Sequence, residues 1–347
     1  KYGPLREIKL DAQTNKIYYA GTEPTIPTIK MTATKPLTYI GYSNGDDFVA
    51  MGSAVTEGAT PVPENTVILS DDFSNLGLWQ TGTTIEDVVN DGTFASGPRG
   101  LFVRDFGTTD ILGWGWYGPM IQRSLNQSLA DFEVDVYMDN INKIDELSRL
   151  DLYLKDENGV LFGRVTIADL SDVARNNTFY SWVGSSTSDR LFLSYHERKE
   201  WNPFSGLLRI RRVGNVFEIY ATSINSNGMH YASYSKRYVD GEKKYTKKLA
   251  GIAVQISKNA KYKAPSESFI KRVEVKRPNL NNENIVRNVA EIGDVIEVKD
   301  GLIYKNGEVY MDRFHASSNF FPLRKGENSL TFTDGVEATV SFREAFK

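Results

Sequence analysis

The sequence has no cysteine, which excludes disulfides, thiolate metal sites and cysteine nucleophiles together, and with them the small disulfide-stapled scaffold. Histidine is nearly as scarce. His196, His230 and His315 stand far apart without a His-x-x-x-His pair, so the spacing argues against a catalytic zinc site. No apolar run is long enough to form a membrane-spanning helix, and no membrane partner is expected. Charge of one sign is lacking too: 41 basic against 44 acidic residues leave a net charge of −3, too little field to gather nucleic acid. The chain opens "KYGPLREIKL", with neither methionine nor a charged-then-apolar leader. Tyr2-Gly3-Pro4 reads as a linker opening a domain, and further sequence is expected before Lys1.

What is present is length and β-forming residues. A chain of 347 residues exceeds one usual hydrophobic core, so about two domains are expected. Tyrosine and phenylalanine number 18 each, and strand alternation runs through "KIYYAG", "FEVDVYM", "LDLYLKDENGVLFGRV" and "FIKRVEVKR". In "GLLRIRRVGNVFEIYATSI", Leu208, Ile210 and Arg212 share a face. A Gly214-Asn215 turn follows, and Phe217, Ile219 and Ala221 share a face of the return strand. Asn306-Gly307 reads as a two-residue hairpin turn between Ile303/Tyr304 and Val309/Tyr310. Two short helices are expected, "ADLSDVARN" near 168 and "NKIDELSR" near 142. Linker-like "TEGATPVPEN" and "RPNLNNEN" (277–284) divide the chain, so residues 1–64 and 284–347 together would make one β-domain carrying residues 65–283 as an insertion. Val67–Phe73 and Phe269–Val275 would then be neighbouring strands of the insert.

Two pattern matches suggest enzymes and fail on context. Gly41-Tyr42-Ser43-Asn44-Gly45 fits the nucleophile-elbow pattern, yet the strand-like "DDFVAMG" follows where a helix is required, so Ser43-Asn44-Gly45-Asp46 reads as a hairpin tip. Gly113-Trp114-Gly115-Trp116-Tyr117-Gly118 fits a dinucleotide fingerprint, but tryptophans would block a pyrophosphate's approach and no periodic helix follows. Glu133, Asp135 and Asp139 alternate on one strand face and could line a hydrolase cleft, although the closely spaced Glu-x-Asp-x-x-Glu of laminarinase-type enzymes is absent. No cofactor is expected; Asp71-Asp72 could supply oxygen ligands to a structural calcium, the bland reading being a solvated acidic turn. The stronger lead is aromatic. Trp114, Trp116 and Tyr117 cluster in a glycine-rich loop, while Tyr180, Trp182, Tyr195 and Trp201 recur in a second region. Flat rings stack on pyranose faces, and Arg104, Asp105, Arg198 and Asn202 could bond hydroxyls. Candidate saccharide-binding residues are therefore Trp114, Trp116, Tyr117, Tyr180, Trp182 and Trp201, each weighed against a role in a β-sandwich core.

The closing pieces "YKNGE", "NFFPLRKGENSLTFTDG" and "ATVSFREAF", with "GTEPTIPTIKMTA" at 21–33, resemble the C-terminal half of distal tail proteins of long-tailed bacteriophages. The insert, through "ILSDDFSNLGLWQTG", the hairpin after Gly206 and "FIKRVEVKR", resembles concanavalin-like, laminin-G-type domains. The resemblance implies an all-β chain, a galectin-like β-sandwich interrupted by an inserted jelly roll. It also implies a structural, non-enzymatic role at the distal end of the virion tail. The full protein would be a homo-hexameric hub joining the tail tube to tail-tip and receptor-binding proteins, with the insert touching host cell-wall polysaccharide. The family's N-terminal ring-forming half is missing from this chain. Alternatives are a secreted or surface bacterial carbohydrate-binding module and a jelly-roll polysaccharide hydrolase. In the outer domain, Phe320–Leu323 is expected as a core strand and Lys325–Asn328 as a turn with Gly326 in a conformation other residues resist.

Overall fold

The computed structural model describes residues 1–10, 14–83, 85, 88–108, 115–186 and 188–347. Among the described residues the only helices are single 3-10 turns, Leu76–Leu78 and Lys199–Trp201. The chain forms two compact units, one from Lys1–Asn65 with Asn279–Lys347 and one from Thr66–Pro278.

In the outer unit the two chain segments interleave strand by strand. Val336–Ala345 lies between Tyr2–Leu10 and Thr28–Ala33, and Val295–Lys299, Leu302–Lys305 and Glu308–Val309 complete that sheet. A second sheet runs Thr14–Tyr19, Gly326–Phe332, Tyr39–Ser43, Phe48–Gly52. Alternate residues of both sheets, including Ile17, Ile29, Met31, Ile40, Leu330, Val340 and Phe342, meet in one core. Each such side chain contributes about 1.5–3 kcal/mol on burial, and neither segment holds a complete set. The buried Tyr19 ties the segments further: its hydroxyl donates to Glu23 O at 2.6 Å and accepts from Ala345 N at 2.9 Å. Gly21 permits this, because a Cβ there would stand 2.4 Å from the Tyr19 hydroxyl. Asn306 (φ 52°) and Gly307 (φ 87°) form the expected left-handed hairpin turn. Ser43 pairs with Phe48 across a hairpin, and its hydroxyl accepts from Gly45 N, so the nucleophile-elbow pattern is indeed a turn. Phe321 and Leu323 are buried as expected, but the segment is not a strand; Leu323 makes an isolated bridge to Thr25. Gly326 has φ 105° and opens the strand that follows.

The inner unit is a second sandwich. One sheet orders Thr93–Gly97, Gly100–Asp105, Ser268–Pro278, Phe132–Asn140, Phe204–Val213, Val216–Ile224 and His230–Val239, with Asn65–Asp71 also paired to Ser268–Pro278 as the sequence suggests. The other runs Asp189–Glu197, Asn177–Ser186, Leu161–Asp169, Ser148–Lys155, Leu249–Asn259 and then Trp116–Gly118 with Val88–Asn90; Met120–Leu129 also pairs with Leu249–Asn259. Val134, Val136, Leu208 and Ile210 of the first sheet meet Leu150, Leu152, Val165, Ile252 and Val254 of the second in a continuous apolar layer.

Neither expected helix forms. At 169–176 the Asp169 carboxylate accepts from Ser171 N and Asn176 N, and Ser171 Oγ accepts from Ala174 N, so side chains close a loop in place of a helical ladder. At 142–149 Glu146 Oε2 accepts from Lys143 N and from both Ser266 N and Oγ, fixing a turn with Asp145 at φ 73° before the strand Ser148–Lys155.

Candidate functional site

Strand alternation puts every second residue on a sheet's outer face, and on both sheets of the inner unit those outer faces are unusually polar and buried. They differ in how the polar groups are satisfied.

On the first sheet, Glu133, Asp135 and Asp139 face outward from Phe132–Asn140 while Phe132, Val134, Val136 and Met138 face the core. Asp135 is met by Arg209 Nε at 2.6 Å and Lys276 Nζ at 2.6 Å; Glu133 lies 3.4 Å from Lys276, 3.5 Å from Arg211 and 3.8 Å from Arg209. Asp139 is held by Lys271 at 2.7 Å and Ser205 Oγ at 2.7 Å. Burial alone would raise Asp135, but the charges of Arg209 and Lys276 outweigh it and bring the carboxyl down to about 2. Burial dominates at Glu133 and raises it, against the opposing charge of Arg209. All three carboxylates of the expected hydrolase face are thus engaged by cations from neighbouring strands.

The second sheet's outer face is built in cross-strand rows. One row reads Gln255, Asp151, Thr166, Tyr180, Tyr195; the next reads Ala253, Tyr153, Arg164, Trp182, Leu193; a third reads Ser257, Arg149, Ala168, Thr178, Glu197. Five strands at ~4.8 Å spacing carry each row about 19 Å across the sheet. Asn259, two residues beyond Ser257 on the same face, pairs with Trp116. Asp151 is fully buried: its Oδ1 accepts from Thr166 Oγ1 at 2.5 Å and lies 3.6 Å from Arg149 and 3.7 Å from Arg164. Gln255 is buried and donates to Gly118 O at 2.9 Å. Guanidinium groups lie over the rings, Arg149 at 5.5 Å from Trp116, Arg164 at 5.8 Å and Arg190 at 5.0 Å from Trp182. Tyr180 packs edge-on against Tyr195 at 5.1 Å, and burial raises its hydroxyl's pKa.

Four buried polar atoms on this face, Asp151 Oδ2, Trp182 Nε1, Ser257 Oγ and Asn259 Nδ2, have no hydrogen-bond partner among the described residues. Leaving such a group unsatisfied costs about 1–3 kcal/mol. Their gathering on one face makes it the candidate site, since unpaired buried polar groups are rare in folded proteins.

The aromatic candidates separate accordingly. Trp116, Tyr180 and Trp182 share this face. Tyr117, next along its strand, turns to the opposite side, with Lys258 Nζ at 5.5 Å from its ring. Trp114 lies outside the described residues. Trp201 is a core residue and not a ligand platform: it is fully buried, its indole N–H donates to Ala232 O at 3.0 Å, and it packs edge-on against Phe204. Asn202 is likewise occupied, its Oδ1 accepting from Asn177 N at 2.6 Å, and Arg104 and Asp105 lie on a strand of the other sheet. Arg149, Asp151, Arg164, Ser257 and Asn259 were not among the sequence candidates. The signal for them was polar residues at alternate positions of "SRLDLYLK", "LFGRVTIAD" and "LAGIAVQISKN", strands otherwise rich in apolar residues. Asp71 is occupied by Arg123 and by Trp79 Nε1 at 3.2 Å, and Asp72 Oδ1 accepts from Ser74 N; among the described residues no three metal-ligating side chains converge.

Residues 271–346 match the family model of the siphovirus-type tail component, C-terminal domain. The C-terminal segment is therefore similar to that domain of siphovirus-type tail components. No curated protein matches the chain. Among solved structures, the CBM2 module of the evolved Dit of Lactobacillus casei BL23 phage J-1 aligns at 13% identity over 64% of this chain and 100% of that one, with a TM-score of 0.49. The family GH16 endo-β-1,3(4)-glucanase SCLam aligns at 9% identity over 70% and 97%, with a TM-score of 0.44. The endo-β-1,3-glucanase of Pyrococcus furiosus aligns at 12% identity over 63% and 100%, with a TM-score of 0.41.

Proposed function

We propose that this chain is the C-terminal part of a phage distal tail protein, and that its inserted sandwich binds host cell-wall saccharide through the outer face of the second sheet. The tail-component match of residues 271–346 supports the first half of this reading. The observation that carries the second is the set of buried, unpartnered polar atoms at Asp151, Trp182, Ser257 and Asn259, beside the rings of Trp116 and Tyr180. In the virion the full protein would be a homo-hexamer at the distal end of the tail, contacting the tail tube and the tip and receptor-binding proteins. Six tethered copies raise effective concentration, so a weak single site suffices. The reading requires no cofactor, nucleic acid or membrane. It is of a binding module and not an enzyme, since Glu133 and Asp135 are taken up by Arg209 and Lys276.

The test is binding of the fluorescently labelled chain to purified cell walls from a panel of Gram-positive strains. Saturable, strain-selective binding that is lost in a folded Trp182→Ala variant is expected. Binding unaffected by that change would move the site elsewhere, and absence of binding even on multivalent display would leave the insert a spacer. Release of reducing ends from the walls would overturn the non-enzymatic reading.

A further inference from the structure

The second sheet's outer face is not neutral. Among its described residues Arg149, Arg164, Arg190 and Lys155 stand against two carboxylates, Asp151 and Glu197. Asp151 is shared between Arg149 and Arg164, and Glu197 lies in the outermost strand, where it accepts from Asn176 and Thr178. Positive charge is therefore in excess around Trp182.

The guanidinium groups also occupy ring faces that a sugar would need. A neutral pyranose stacking on Trp182 would have to displace Arg190 and Arg164 from their cation–π contacts. A ligand carrying negative charge instead recruits those cations, because a guanidinium's planar fork matches a carboxylate or phosphate.

Resting on the saccharide-binding reading of this same face, we propose that its ligand is an anionic glycan whose charged group is held by Arg164 and Arg190 above Trp182. The charge is a phosphodiester or a carboxylate. Asp151 Oδ2, Ser257 Oγ and Asn259 Nδ2 then serve the hydroxyl and amide groups of the same chain.

The experiment is affinity electrophoresis of the full chain in gels containing phosphomannan, polygalacturonate, neutral laminarin or inorganic polyphosphate, at low and high salt, with cell-wall binding measured in parallel. Retardation by phosphomannan or polygalacturonate, at least about tenfold stronger than by laminarin, is expected, since charge-assisted hydrogen bonds are about twice as strong as neutral ones. Which of the two retards the chain identifies the anion. High salt and Arg190→Gln should each remove most of that preference, while the thermal midpoint of the variant stays unchanged. Equal retardation by laminarin, or wall binding that ignores both salt and Arg190→Gln, overturns the anionic assignment and leaves saccharide binding standing. Equal retardation by polyphosphate reduces the face to a general charge patch and overturns it as well. Failure to bind walls or any probe overturns the saccharide reading itself.

Discussion

The Arg190 guanidinium stands 5.0 Å from the ring centroid of Trp182, on the outer face of the sheet, while the indole N–H beneath it has no acceptor among the described residues. Trp201 has the opposite character, with its N–H satisfied by Ala232 O and its ring inside the core. The same substitution should therefore separate binding from stability. Trp182→Ala should weaken wall binding at least about tenfold, as expected for truncating an aromatic anchor, and should lower the urea midpoint less than Trp201→Ala, because Trp182, although only 8% exposed, lies outside the apolar core. Trp201→Ala should cost about 3–5 kcal/mol of stability. Comparable urea midpoints for the two variants would contradict the assignment.

Lys276 faces both Asp135, at 2.6 Å, and Glu133, at 3.4 Å, and both carboxylates are buried. Lys276→Met should destabilise the inner unit by about 3–5 kcal/mol, because two buried carboxylates lose a partner. Wall binding by the fraction that remains folded should be unchanged, since the network lies on the other sheet. The folded carboxyl of Asp135 titrates at about 2, below its ordinary 3.8. Its contribution is therefore complete above pH 3.8 and is lost as pH falls toward 2. Urea titrations across that window should show the loss, and it should be smaller in Lys276→Met.

His196 stacks on Tyr234 with ring centroids 4.0 Å apart, and burial, aided by the charge of Arg198, lowers its pKa below the ordinary 6.5. The folded state thus resists the proton that the unfolded chain accepts. Stability from this site is complete above pH 6.5 and falls as pH drops through the window just below it. Thermal midpoints measured from about pH 7.5 to about pH 5 should decline, and His196→Phe, which keeps the stacked ring, should flatten the decline. An unchanged slope in the variant would show that other groups govern it.

Where sequence reading succeeded, the governing interactions were local. Asn306-Gly307 needs only its own backbone to specify a hairpin, and the alternation of Leu208, Ile210, Phe217, Ile219 and Ala221 identifies an inward face without knowledge of the partner sheet. The helix expectations at 142 and 168 failed because Glu146 and Asp169 use their carboxylates on nearby backbone N–H groups, one of them from Ser266, far along the chain. The candidate site was partly legible. Tryptophans signal both cores and ligand platforms, and only the register across neighbouring strands separates Trp182 from Trp201. Asp151 was harder still: its environment comes from Arg149 on its own strand and from Arg164 and Thr166 on the next.

The outer unit's two segments meet at the base of the insertion, where Asn279 N–H donates to Glu64 O at 3.0 Å and the Asn279 side chain donates to Pro63 O at 2.9 Å. Chain ends this close can be rejoined by about two glycines, at ~3.3–3.6 Å of reach per residue. Replacing Thr66–Pro278 with such a linker should leave an outer unit that folds, because its core draws only on residues from both outer segments. The excised Thr66–Pro278 should fold as well, on the apolar layer between its two sheets. Each piece should unfold cooperatively in urea, monitored by tryptophan fluorescence for the insert, which holds all five tryptophans, and by tyrosine fluorescence for the outer unit. If the insert alone gave a broad, non-cooperative transition, it would not be an independent module, and adhesion would have to be assigned to the intact chain.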